Sequence, residues 1–250
     1  MIDKETLISI AKLNNLRPWQ QEKHYIQTVI LTALSEYPLI FKGGTYLWFF
    51  HGLNRFSEDL DFTASGNLPE DLDKKVSETL RLFGIENEVK RMESIAGSFS
   101  FRISAKGPLF TTDTNLCYIY VEVSRRENII KSPLSFELAF DAYQLPIKIL
   151  NGMSLEEIAA EKVRAVITRN TARDLYDLFY LITERKIMFD EGMVNKKLKY
   201  YNLTFSYELY QKKVKEKKKI WKSELKQLVL NDLPDCNVVL ATLIKWGKKK

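Results

Sequence analysis

The sequence predicts an α+β fold: a small mixed sheet with flanking helices, followed by a helical C-terminal domain. Three observations carry this. Up to about residue 150, short apolar or alternating runs of strand character are interleaved with stretches of helical spacing. After Pro146 the texture becomes rich in Ala, Glu, Lys and Arg, with strand signals absent. There is no internal repeat and no long linker, and 250 residues suffice for one large domain or two modest ones. The boundary is expected near Gly152, giving residues 1–151 and 152–250.

Each element follows from local pattern. From about Asp3 to Tyr37 the chain is expected to be helical, with Ile26, Ile30, Leu31 and Leu34 at helical spacing and Pro38 ending the run. Leu39-Ile40-Phe41 is a short strand entering a Gly43-Gly44 turn, and Tyr46 to His51 a short helix closed by Gly52. Ser57 to Phe62 alternates, with Leu60 and Phe62 on one face and Asp59 and Asp61 on the other, so it reads as a strand. Leu72, Val76, Leu80 and Phe83 mark a helix over 68–83 that stops at Gly84. Strands are expected over 85–92, 98–105 and 116–124, with Gly107-Pro108 as a turn. Helices are expected over 154–167 and 172–184, the second capped by Thr171 with Asp174 three residues on. The remainder reads helical, with breaks near Gly192 and Pro234.

Composition limits the function classes. Hydrophobic residues at 45% and charged residues at 28% exclude a disordered or fibrous chain. No apolar run approaches the roughly 18 residues of a membrane helix. The polar, acidic N-terminus lacks the pattern of a signal peptide. Cys117 and Cys236 are far apart and form neither a disulfide framework nor a zinc spacing, so a reducing cytoplasm is expected. Two histidines, His24 and His51, argue against a histidine-built metal site. Charge is uneven. Fifteen lysines against six acids from Glu191 to Lys250 give +9, and the whole chain is +6, leaving −3 for residues 1–190. Such a tail suits an anionic partner such as RNA, and equally a solvated lysine-rich helix.

The chemistry concentrates in two short stretches. In a strand, Asp59 and Asp61 project to one side, where like charges repel unless a cation sits between them. Hard oxygen ligands of this kind suit Mg²⁺ held together with substrate phosphates. Upstream, Gly43 and Gly44 allow close backbone approach, and Thr45 opens a helix whose free N–H groups favour phosphate. Taken singly, a Gly-Gly pair is commonly a plain turn and an Asp-x-Asp a wet strand face; the order and spacing favour a phosphate and metal site. Glu122, between Val121 and Val123, is either on a wet face or a third ligand of a two-metal site. No Gly-x4-Gly-Lys loop or Gly-x-Gly-x-x-Gly is present, and neither histidine fits a Ser-His-Asp arrangement. Trp48, Phe49 and Phe50 are expected in the core.

These residues resemble the DNA polymerase β-like nucleotidyltransferase superfamily, whose signature is Gly-Gly or Gly-Ser, a short helix, an Asp-x-Asp strand and a later acid. The closer resemblance is to the AbiEii-type nucleotidyltransferase toxin family. It is carried by Gly43-Gly44-Thr45, Arg55-Phe56-Ser57-Glu58-Asp59-Leu60-Asp61, Glu161-Lys162, Arg169 and Arg173-Asp174-Leu175-Tyr176-Asp177. It spans about residues 40–180 and leaves the tail uncovered. It implies a sheet of nucleotidyltransferase type and Mg²⁺-dependent transfer of a nucleoside monophosphate from an NTP. The acceptor would be RNA, tRNA above all, and a cognate antitoxin would control the toxin. By the same resemblance Asp59, Asp61 and Glu122 would be metal ligands, and Gly43, Gly44, Thr45, Arg55, Ser57 and Lys162 would bind the nucleotide. Asp174 and Asp177 would be catalytic-base or supporting residues. Without the resemblance, Arg173 and Asp177 read as a surface i, i+4 ion pair; Lys162 and Arg169, seven apart, are expected on one helix face. Two other functions fit the same scaffold: nucleotide transfer to a small molecule, and a non-catalytic RNA- or protein-binding module.

Overall fold

The computed structural model describes residues 1–93, 97–126 and 128–248, so Lys249 and Lys250 of the basic tail lie outside the described residues. The chain forms two compact units. The first comprises Met1–Tyr46, Glu58–Arg126 and Pro133–Gly152. The second comprises Leu47–Ser57, Glu127–Ser132 and Met153–Lys250, so it takes in two segments that precede Gly152.

The first unit is built on a seven-stranded mixed sheet. Its strands are β1 (Leu39–Lys42), β2 (Leu60–Ala64), β3 (Asn87–Met92), β4 (Ser98–Ala105), β5 (Cys117–Ser124), β6 (Leu134–Leu138) and β7 (Lys148–Gly152). Their order across the sheet is β3-β4-β5-β2-β1-β7-β6. β2 lies parallel to β5, and β1 parallel to β7, while β1 and β2 are antiparallel. Helices α1 (Lys4–Leu13) and α2 (Pro18–Leu34) precede β1, and α4 (Leu72–Leu82) follows β2. α2 packs against β5 and α4. Its Ile26, Val29, Ile30 and Leu34 are buried, as are Ile119, Val121 and Val123 of β5. Each such side chain contributes roughly 1.5–3 kcal/mol by leaving water.

Helix α3 (Gly43–His51) starts in the first unit and runs on into the second. There α5 (Leu155–Thr168), α6 (Arg173–Thr183), α7 (Glu191–Leu198), α8 (Tyr207–Glu216), α9 (Trp221–Leu225) and α10 (Cys236–Gly247) follow one another. Ser154 caps α5 by accepting from the Glu157 N–H, and Ser206 caps α8 in the same way from Leu209. No helix among the described residues is long and apolar enough to cross a membrane.

Several local expectations are corrected. β6 and β7 have no counterpart among the expected strands. β2 begins at Leu60, leaving Asp59 just ahead of it. α3 starts at Gly43, directly at the end of β1. Thr171 does not cap α6: the cap position is Ala172, and the Thr171 hydroxyl donates to the Asp174 side chain. The break expected near Gly192 falls just before it, between the end of α6 and the start of α7 at Glu191. Trp48, Phe49 and Phe50 are half-buried, not core, because their helix is short and they stack on one another and on Phe56.

Candidate active site

In the first unit, the sheet register builds a row of polar groups. Lys42 stands opposite Asp61 on the antiparallel neighbour, and Asp61 stands beside Glu122 on the parallel one. Neighbouring strands are about 4.8 Å apart, and residues so paired face the same side. Lys42 is buried, Asp61 half-exposed and Asp59 exposed. Lys42 is not among the residues expected to function. The signal that finds it is its place at the end of β1, before Gly43, once β1 and β2 are paired antiparallel.

The Gly-Gly turn and the carboxylates meet at one atom. Gly43 has φ +77°, a conformation that favours glycine, and a Cβ placed on it would lie 2.4 Å from Asp61 Oδ2. The Asp61 carboxylate therefore sits directly on the first residue of α3, where the helix presents its free N–H groups. Gly44 is buried behind it. Thr45, also buried, donates its hydroxyl to the Asp59 carbonyl oxygen, tying the helix to the start of β2. What α3 offers a phosphate is its N–H groups, as expected of this helix start.

Glu122 bonds Arg126, with 2.8 Å between Oε1 and Nη2, and its side chain is 41% exposed. Among the described residues, no group of three or more acids, histidines or cysteines is gathered closely enough to hold a metal ion. Carboxylates of the kind that suits Mg²⁺ are Asp59, exposed, and Asp61, half-exposed, with Glu122 beside Asp61 in the register and bonded to Arg126.

In the second unit, four of the expected residues form a buried ion network. Arg55 grips Asp177 with two parallel bonds, Nε to Oδ1 at 2.6 Å and Nη2 to Oδ2 at 2.7 Å. Lys162 Nζ lies 2.6 Å from Asp177 Oδ2 and 3.0 Å from Asp174 Oδ1. Thr171 donates to Asp174 Oδ2 at 2.7 Å. The segment holding Arg55 is fixed by backbone bonds, Phe56 N–H to Leu228 O at 2.8 Å and Leu230 N–H to Asn54 O at 3.3 Å. Asp177 is wholly buried and Arg55 nearly so.

This geometry gives the expected residues partners within the unit. Arg55, expected at the nucleotide, is paired with Asp177. Asp177 pairs with Arg55 and Lys162, while Arg173 is exposed. Burial alone would raise the Asp177 carboxyl, but the Arg55 guanidinium and then Lys162 hold it below the usual carboxylate range. Burial opposes charge on Asp174 too, and Lys162, with Thr171 and Arg169, brings it down to about 2. Lys162 is held charged: burial disfavours its ammonium, and Asp177 and Asp174 more than restore it. Arg169 is the residue that ends α5, in extended backbone, so it does not continue the helix face of Lys162. Ser57 is half-exposed at the end of the 47–57 segment.

A second buried network in this unit lies outside the expected residues. Lys197 Nζ lies 2.6 Å from Glu157 and 3.0 Å from Glu161, and Glu157 also accepts the N–H groups of Ile130 and Lys131. Lys217 is buried and donates to the Val166 carbonyl oxygen at 2.7 Å. These two lysines are thus removed from the basic surface expected of the tail. Long-range ion pairs leave no local spacing in a sequence, so neither lysine stands out there.

A family model described as nucleotidyl transferase AbiEii toxin, type IV toxin–antitoxin system, matches residues 27–241. Among solved structures, MenT4, a nucleotidyltransferase toxin from Mycobacterium tuberculosis, superposes with a TM-score of 0.64 at 21% identity, covering 98% of this chain and 88% of that one. A candidate nucleotidyltransferase from Helicobacter pylori gives 0.61 at 20% identity, over 90% and 91% of the two chains. JHP933 from Helicobacter pylori gives 0.57 at 20% identity, over 91% and 90%. At these identities the structures show a shared fold. A search of the curated proteins returns no match. With its match over residues 27–241, the chain belongs to the AbiEii family of nucleotidyltransferase toxins of type IV toxin–antitoxin systems.

Proposed function

We propose that the protein transfers a nucleoside monophosphate from an NTP to RNA, with Mg²⁺ as cofactor and a cognate antitoxin as its controlling partner. The observation that carries this reading is the seating of Asp61 on Gly43, which puts a metal-type carboxylate against a phosphate-type helix start. Asp59 and Asp61 would hold the cation, which when bound offsets the triphosphate charge and favours ionisation of the attacking hydroxyl. The α3 N–H groups beginning at Gly43 and Gly44 would orient the phosphates. In the transfer, the acceptor hydroxyl oxygen bonds to the α-phosphorus as the bond to the β-phosphate breaks, and pyrophosphate leaves. Glu122, beside Asp61 in the register, is the group we assign to receive the hydroxyl proton, with Arg126 orienting it. Lys162, Arg55, Asp174 and Asp177 would act by holding the helical unit rigid.

RNA is favoured over a small-molecule acceptor by the +9 charge from Glu191 onward. With such an acceptor and the NTP pool as its substrates, we assign the protein to the cytoplasm. The test is incubation of the purified protein with each labelled NTP and total RNA. The expected result is Mg²⁺-dependent label in an RNA band, lost in Asp61→Asn. Label retained by that variant at the wild-type rate overturns the proposal.

A further inference from the structure

Along β5, Tyr118, Tyr120 and Glu122 recur at two-residue spacing, so all three project from the sheet face that carries Asp61. The opposite face of the strand is buried, but Tyr118 is 38% and Tyr120 43% exposed. On β4 the register sets Ser100 beside Glu122, Arg102 beside Tyr120 and Ser104 beside Tyr118. On the edge strand β3, Lys90 stands beside Arg102 and is exposed. The Arg102 guanidinium lies over the Tyr118 ring, 4.9 Å from its centre, and its Nε is buried with no hydrogen-bond acceptor. Ser104 and Ser100, small side chains on β4, flank Arg102 on this face. The acid in this strip beyond Glu122 is Glu88, beside Ser104 at its far end.

We propose that this strip is the acceptor platform: a single-stranded RNA end lies along β5, with bases stacked on Tyr118 and Tyr120 and phosphates met by Arg102 and Lys90. This rests on the reading of the protein as a transferase acting on RNA. Two residues of strand advance about 6.8 Å, so two rings and then the Glu122 carboxylate form an evenly spaced ladder ending beside Asp61. Every base has a π-face, so stacking on tyrosine suits a strand whatever its sequence. A guanidinium that lies on one of the rings brings positive charge to where a phosphate between two stacked bases would run. A protein partner would instead call for aliphatic side chains, and on this face of β4 and β5 the side chains are tyrosine, serine, arginine and glutamate.

The test is fluorescence anisotropy with a labelled single-stranded oligouridine and, separately, a short RNA duplex, on wild type, Tyr118→Ala, Tyr120→Ala, Tyr120→Phe and Arg102→Gln. The wild type is expected to prefer the single strand. Each Tyr→Ala should weaken it about 5- to 150-fold, and Tyr120→Phe should restore it. Arg102→Gln should lower the slope of log affinity against log salt by about 0.7. In the transfer assay the same variants should raise KM for RNA and leave KM for NTP unchanged. Alanine variants that bind the single strand like wild type overturn the platform, as does loss of antitoxin binding with RNA binding intact. A wild type that binds the single strand through its tyrosines but labels no RNA refutes the transferase reading and leaves the platform standing. RNA labelling with unchanged KM in the tyrosine variants does the reverse.

Discussion

Lys42, Asp61 and Glu122 stand in one row across the sheet, with Asp59 exposed just ahead of it; Arg55, Lys162, Asp174 and Asp177 form a group of similar composition within the helical unit. The settings are opposite. In the helical unit each aspartate oxygen has a donor from the protein and water is shut out. On the sheet Asp61 is half-exposed and seated on a helix start with N–H groups to offer, and Asp59 is exposed. A buried network of charges is suited to fixing structure, whereas charges within reach of solvent at a glycine turn are placed where a ligand could meet them. Sequence motifs do not separate the two cases, since all these residues except Lys42 belong to the same family signature.

The largest effect is expected at the sheet. Asp61→Asn should reduce nucleotide transfer about 10³-fold or more, while the melting temperature stays within a few degrees. A melt and a labelled-NTP assay on one preparation check both, and a large loss of stability would show that Asp61 belongs with the structural charges. In the helical unit the pattern should invert. Asp177→Ala leaves Arg55 and Lys162 buried without their shared partner, which costs about 3–5 kcal/mol, measured by urea unfolding. Lys162→Ala should cost a similar amount, whereas a lysine serving only to bind triphosphate would lower activity about 10- to 150-fold with the fold intact.

Acid should pick out the same network. The Asp174 carboxyl is held at about 2 in the folded protein against 3.8 ordinarily. A depressed folded pKa gives stability that is complete above the unfolded value and is lost as pH falls through the folded one. Unfolding midpoints should therefore fall between about pH 4 and pH 2, and Asp174→Asn should flatten that fall at a cost on the order of 2 kcal/mol at neutral pH. The smallest effects belong to the tail. Replacing the exposed Lys212, Lys215, Lys218 and Lys219 with Gln should change stability by less than about 0.5 kcal/mol each. It should also lower the salt slope of RNA binding by roughly 0.7–0.9 for each phosphate that a lysine no longer neutralises. Lys217→Gln, which deprives the Val166 carbonyl of its buried donor, should instead cost about 1–3 kcal/mol.

How much of the structure is legible in the sequence follows from how local each signal is. α4, β4 and β5 stand out because their apolar spacing is that of the element and one face is buried, and α2 because its apolar residues keep helical spacing although it is buried nearly all round. The Gly43 turn and the Asp59-x-Asp61 pair are legible too, since a glycine turn and an alternating acidic strand each carry a local mark. β6 and β7 are not. Leu134, Ile147 and Ile149 are exposed while Phe136, Leu138 and Leu150 face inward, so apolar residues fall on both faces of that region and the alternation that marks a strand is blurred. The Arg55–Asp177 grip joins residues 122 apart, and the Lys197–Glu157 pair residues 40 apart. Periodicity holds no record of such distances. Lys42 and Arg126 are hidden for a milder reason: each looks like an ordinary strand-end cation until the fold puts it beside a carboxylate.

The closeness of Gly43 to Asp61 also makes the toxin easy to disarm. Any side chain at position 43 starts with a carbon that would collide with the Asp61 carboxylate, so every amino-acid replacement there, however small, displaces the same oxygen. A glycine codon tolerates change only at its third base, and all missense changes at this codon therefore share one outcome. In a population selected to survive expression of this protein, Gly43 should be a recurrent site of escape, yielding intact, folded protein that no longer arrests growth.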